Sequence, residues 1–132
     1  MATTTGSCLC GEIHWTVEGR PRSATNCHCA SCQKQHGAAF ATYGAVVRSK
    51  LRVTGEPKRF RSSPDAVRMF CATCGSSLFM DYDADPKTTW VSLGTADCDP
   101  NCRPESHAFV ASKAPWIELT DGLPQHAGHA PR

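Results

Sequence analysis

Nine cysteines fall in this chain of 132 residues, and seven of them stand in three tight groups: Cys8 and Cys10, then Cys27, Cys29 and Cys32, then Cys71 and Cys74. Thiolates two or three residues apart are the usual soft ligands of zinc. Cys71 and Cys74 bracket a tight turn, and Gly75 behind them can take the backbone angles such a turn needs. Cys8 and Cys10 lie two apart, so on an extended segment both sulfurs point to the same side. Together these four make a closed thiolate shell with no open position. Such a zinc is structural, and its binding energy is part of the folding energy.

Cys27-His28-Cys29-Ala30-Ser31-Cys32 places three more ligands within six residues, and no fourth cysteine follows nearby. Three protein ligands and one free position are the arrangement of a catalytic zinc. The candidates for a fourth ligand are His28, Asp97, Cys98 and Cys102. On an extended backbone His28 points away from its cysteine neighbours, and Cys98 and Cys102 read equally as free thiols or a reversible disulfide. His36 and His107 titrate near neutrality and are candidate proton carriers, against the alternative of hydrogen-bonded structural histidines. Trp116 reads as core. A protein in which every zinc is structural, and which only binds a partner, is the competing interpretation of the same cysteines.

The elements that position these residues are short and mainly β. Ile13, Trp15 and Val17 alternate with His14, Thr16 and Glu18, the period of a strand with one buried face. Further strands are predicted over 40–47, 58–62, 66–71, 78–82, 89–93 and 107–110, separated by Gly, Pro, Ser and Asp. One short helix is predicted to begin at Ala30 or Ser31 and to stop at Gly37. Residues 1–124 read as one domain. Residues 125–132, including His126 and His129, have little to bury and read as a flexible, solvent-exposed tail.

With 40% hydrophobic residues, 20% charged residues and a net charge of +2, the composition is that of a soluble globular chain without a membrane span. Arg48, Lys50, Arg52, Lys58, Arg59, Arg61 and Arg68 thicken the middle of the chain, yet the overall balance is too mild to argue for nucleic acid. Met1 to Gly6 shows no basic region running into an apolar one, so the expected location is cytoplasmic. Thiols stay reduced there, and clustered cysteines hold metal more often than disulfides.

Three segments carry a resemblance: Gly6-Ser-Cys-Leu-Cys-Gly11, Cys27-His-Cys-Ala-Ser-Cys32, and Phe70-Cys-Ala-Thr-Cys-Gly-Ser-Ser-Leu-Phe79. With the later Val91 to Asp97, Pro104 to His107, Ala114-Pro-Trp116 and Asp121-Gly-Leu-Pro124, they resemble the glutathione-dependent formaldehyde-activating enzyme family, whose domain also occurs in the centromere protein V group. The resemblance implies a small antiparallel β-tent fold with two zinc ions, structural on Cys8, Cys10, Cys71 and Cys74 and catalytic on Cys27, Cys29 and Cys32. It implies a carbon-sulfur lyase that joins formaldehyde, or a related small electrophile, to the glutathione thiol. The alternative is a zinc-stabilised module for a protein or chromatin partner. Gln33 stands where the family often has Arg after the third cysteine of the catalytic group.

Overall fold

The computed structural model describes residues 2–131. Strand β2 (His14–Glu18) realises the alternation read from the sequence: Trp15 and Val17 are buried, His14 and Glu18 are exposed. It is the central strand of a three-stranded antiparallel sheet, between β1 (Thr3–Ser7) and β5 (Leu51–Thr54). Trp15 lies opposite Gly6 in the β1–β2 register, and its indole covers that position. A Cβ built on Gly6 would lie 2.1 Å from the indole Cε2, so the tryptophan can seat only over glycine. The indole N–H then donates to Thr95 Oγ1 at 3.0 Å, which satisfies its one polar atom.

The second sheet has seven strands: β3 (Arg22–Cys27), β4 (Ala41–Val47), β6 (Lys58–Ser63), β7 (Ala66–Phe70), β8 (Ser77–Tyr82), β9 (Thr88–Ser92) and β10 (Ser106–Ala108). Their spatial order is β10-β3-β4-β9-β8-β7-β6, antiparallel throughout except for the parallel pair β10 and β3. Register decides what each face carries. Met69, Phe79 and Val91 lie in one row across β7, β8 and β9, while Arg68, Met80 and Trp90 lie in the next. Successive residues of a strand face opposite ways, so the first row joins Ile13, Trp15 and Val17 in one core. The second row turns to the other face, where Cys27, Cys32, Ala41, Tyr43 and Met80 form a separate cluster.

Helix α1 (Ala30–His36) connects β3 to β4 and covers this second face. Cys29 is its N-cap, and Gly37 ends it in the left-handed region at φ 61° and ψ 40°. The helix and the strands expected from the sequence are present within a residue or two. Strands β1, β3 and β5 were not expected. Arg22-Ser-Ala-Thr-Asn-Cys27 has little β character of its own, and β3 exists because β4 and β10 pair with it on either side.

Two differences follow from the C-terminal third, where few strands form. Trp116, expected in the core, is 71% exposed, because the chain around it belongs to no sheet that could bury it. Residues 124–128, the last four of which belong to the segment read as a tail, run beside β10. The His107 N–H donates to Pro124 O and the His126 N–H returns to His107 O, both at 2.9 Å. Phe109 and Val110 N–H groups donate to Gly128 O and His126 O. Backbone pairing of this kind leaves no mark in composition. No helix among the described residues is long and apolar enough to cross a membrane.

The Gly6 contact gives a direct test. Gly6→Ala is expected to lower stability by about 1–3 kcal/mol, the usual cost of overpacking a filled site. A urea unfolding midpoint that matches the unmodified chain would show that Trp15 does not rest on the β1 backbone.

Candidate active site and metal centres

The turn after β1 carries Cys8 and Cys10, and the turn between β7 and β8 carries Cys71 and Cys74. Their four Sγ atoms all lie within 4.8 Å of one another. Cys8 and Cys10 sulfurs are 3.6 Å apart, and those of Cys10 and Cys71 are 3.8 Å apart. A zinc–sulfur distance of about 2.3 Å makes the edge of a tetrahedral thiolate shell about 3.8 Å, so the donor set fits that ion. Backbone N–H groups face the sulfurs as they do in thiolate sites: Ile13 N lies 3.2 Å from Cys8 Sγ and Cys74 N 3.5 Å from Cys71 Sγ. Ser76 ties the two turns, its hydroxyl accepting from Leu9 N and lying 3.2 Å from Cys74 Sγ.

Cys27 ends β3, Cys29 caps α1 and Cys32 sits in its first turn, which gathers their three sulfurs within 4.8 Å as a second group. The Cys32 N–H points to Cys29 Sγ at 3.3 Å. Hydrogen bonds from Cys27 and Cys32 hold the Cys29 thiol far below its ordinary range, while the same contact with Cys29 pushes Cys27 far above it. The close approach of the three sulfurs thus opposes their joint ionisation. The second and third can ionise only against positive charge.

That charge is in part built in, and it comes from a residue the sequence reading did not assign to the site. Arg68, on β7, is only 4% exposed. Its Nη2 lies 3.4 Å from Cys32 Sγ and 4.0 Å from Cys29 Sγ. The remaining donors go to Ser62 Oγ, Gln35 Oε1 and the Tyr43 hydroxyl at 3.0 to 3.3 Å. Every arm of this buried guanidinium is engaged, which offsets the cost of holding its charge out of water. In the sequence it was one arginine in a basic stretch. Three thiolates and one divalent ion sum to minus one, and Arg68 brings the sum to zero.

The other candidates take different places. His28 does not join the cysteines. It is fully buried, and its Nε2 lies 2.8 Å from Nδ1 of His107, whose Nε2 lies 2.8 Å from Asp121 Oδ2. Both ring nitrogens of His107 are therefore engaged, and its place is in a buried chain that ties β10 and Asp121 to the ligand loop. His36 Nε2 sits between the Tyr43 hydroxyl and Ser77 Oγ, at 3.0 and 3.1 Å. Burial, with the Arg68 charge nearby, lowers its pKa to about 4 and keeps it neutral. Gln33 donates from Nε2 to both His28 O and Ser112 O at 2.8 Å, so it braces the ligand loop and faces no anion. Asp97 accepts from Ser7 Oγ at 2.6 Å. Among the described residues, neither Asp97, Cys98 nor Cys102 belongs to the three-cysteine group.

Space opens on two sides of the three sulfurs. A cavity of about 60 Å³ has Cys27, Tyr43 and Trp90 in its lining. A second opening, of about 140 Å³, is bordered by Cys29, Ser31, Asp65 and Arg68. Met80, Tyr82, Phe109 and His129 line both. Burial and the cysteine charges raise the Tyr82 pKa to about 12, so its hydroxyl keeps its proton at neutral pH.

A crystal structure of a Rhodobacter sphaeroides protein matches the fold with a TM-score of 0.61 at 23% identity, over 74% of this chain and 92% of that one. An uncharacterized lyase of Schizosaccharomyces pombe is 27% identical over 77 residues, which are 58% of this chain and 56% of that protein's length. The sequence profile described as glutathione-dependent formaldehyde-activating enzyme matches residues 3–112, which include both cysteine groups and Arg68. The chain belongs to the glutathione-dependent formaldehyde-activating enzyme family.

Proposed function

We propose that the protein is a zinc-dependent carbon-sulfur lyase and synthase of the formaldehyde-activating type, with its chemistry at Cys27, Cys29 and Cys32. The observation that carries this reading is a ligand group that stops at three sulfurs, has Arg68 beside it and opens onto a small cavity. The group of Cys8, Cys10, Cys71 and Cys74 is complete with four and would hold a structural ion. In the proposed reaction the sulfur of a thiol, glutathione by family, adds to the carbonyl carbon of formaldehyde. The S–H proton ends on the carbonyl oxygen, and the product is the S-hydroxymethyl adduct.

A zinc ion held by the three thiolates would supply Lewis acidity that lowers the pKa of an incoming thiol. The chain's own residues do the rest. Arg68 offsets the excess negative charge of the ligand group, which would otherwise repel a second thiolate. Met80, Tyr82 and Phe109 exclude water and confine the electrophile, and Tyr82 presents a protonated hydroxyl on the cavity wall. A cavity of about 60 Å³ is several times the roughly 10–15 Å³ that a single water requires, enough for a one-carbon aldehyde or its hydrate. The expected setting is the cytoplasm, where glutathione and reduced thiols coexist.

Two measurements test this. Exchange between formaldehyde and glutathione, followed by NMR, is expected to run faster with the protein than without it. Cys29→Ser is expected to return the rate to the uncatalysed value and to bind one zinc where the unmodified chain binds two. An unchanged rate after loss of that zinc would remove the chemistry from this site. Arg68→Met is expected to weaken metal binding at the three-cysteine site by about 10- to 100-fold, as loss of a residue supporting metal ligands does. The four-cysteine site should keep its affinity. Cobalt titration monitored by thiolate charge-transfer absorption separates the two steps, and equal weakening of both would mean that Arg68 acts on the fold as a whole.

A further inference from the structure

The family match ends at residue 112, yet one wall of the three-sulfur site comes from beyond it. His129 lines both the Cys27 cavity and the Cys29 opening. Its ring meets Phe109 edge-on at 4.7 Å between centroids and Tyr82 at 6.0 Å. These three aromatic rings stand where the two spaces adjoin, and Met80 of β8 lines both spaces with them.

The backbone is arranged to keep them there. Phe109 sits in the left-handed region at φ 57° and ψ 38°, a conformation large side chains rarely adopt and one that clusters at functional sites. Its N–H donates to Gly128 O at 2.8 Å, one residue before His129, and Val110 N–H donates to His126 O at 2.9 Å. The same two hydrogen bonds therefore fix the strained residue and the segment that covers it. A loop held only by its own backbone would need neither the strain nor the aromatic contacts.

We propose that His129, seated on Phe109 and Tyr82, is a specificity-determining residue: it forms the outer wall of the three-sulfur site and sets the size of the molecule that reaches Cys27 and Cys29. Applied to substrate choice, this rests on the reading above. As a statement about access it stands without it. The wall works through ring area, so an aromatic replacement preserves it and removal of the ring opens the two spaces into one.

The test reads access rather than turnover. The isolated full-length protein is treated with iodoacetamide and, separately, with a bulky fluorescein maleimide, and alkylation of each cysteine is timed by peptide mass spectrometry. Cys98, exposed and outside both groups, is the internal standard. His129→Ala is expected to raise the bulky-to-small rate ratio at Cys27 and Cys29 about tenfold relative to Cys98, with Cys8 and Cys71 unchanged. His129→Phe is expected to keep the original ratio. An unaltered ratio in His129→Ala, or a rise that includes Cys8 and Cys71 and so reports general loosening, overturns the proposal. A rise confined to Cys27 and Cys29 upholds it even where the exchange assay finds no activity with formaldehyde and glutathione. With activity present, His129→Ala should also accept larger aldehydes that the unmodified chain rejects.

Discussion

Three cysteine sulfurs within 4.8 Å, two of them buried, form a group that cannot carry full charge by itself. Coulomb repulsion at such distances in a partly dehydrated site exceeds what hydrogen bonds from Cys32 N–H or neighbouring thiols can offset. Positive charge offsets this repulsion, from an ion that the group could hold and from the protein itself. Arg68 is the protein's share. To bring it there, a guanidinium is placed on a buried strand, at a high desolvation cost, and every donor is then given an acceptor among Ser62, Gln35, Tyr43 and the sulfurs. Many other features of this half of the molecule follow from that requirement: the place of β7 in the sheet, the short helix whose Gln35 meets the arginine, and the buried Tyr43 hydroxyl.

The seven-stranded sheet separates two tasks by parity. Met69, Phe79 and Val91 point into an apolar core under Trp15, and Arg68, Met80 and Trp90, each one residue away, point to the cysteine site. A slip of one residue in β7 would bury Arg68 against Trp15 and leave the sulfurs facing Met69. The register is therefore constrained from both faces at once. The four-cysteine group closes the first of these cores, with Cys8 and Cys71 among its buried residues. The three-cysteine group lies in the second. Each cysteine group is thus part of one core, which is why a change at one need not disturb the other.

The C-terminal third is joined to the site by polar contacts more than by apolar burial. Exposed Asp121 and buried His107 and His28 form a chain that reaches the residue between Cys27 and Cys29, while Gln33 reaches across to Ser112. These contacts hold a segment with almost no regular structure against the ligand loop. The outer face of the site is therefore assembled late along the chain, from residues that share no motif with the cysteines they cover.

The sequence by itself determined the cysteine groups, the short helix that carries Cys32, the alternating strand around Trp15 and the mainly β class. All of these are local: cysteine spacing, a period of two, and a glycine at the end of a helix act over a few residues and are read directly. What the tertiary structure decided is non-local. Arg68 is one of several basic residues in its stretch until strand pairing sets it against Cys32, 36 positions away. His28 could be weighed as a ligand until β10 brought His107 to it, and Trp116 could be assigned to the core until no sheet was found to cover it. Strand β3 and the segment 124–128 owe their conformation to partners, since a backbone hydrogen bond depends on the neighbouring chain and hardly at all on the side chain that accompanies it.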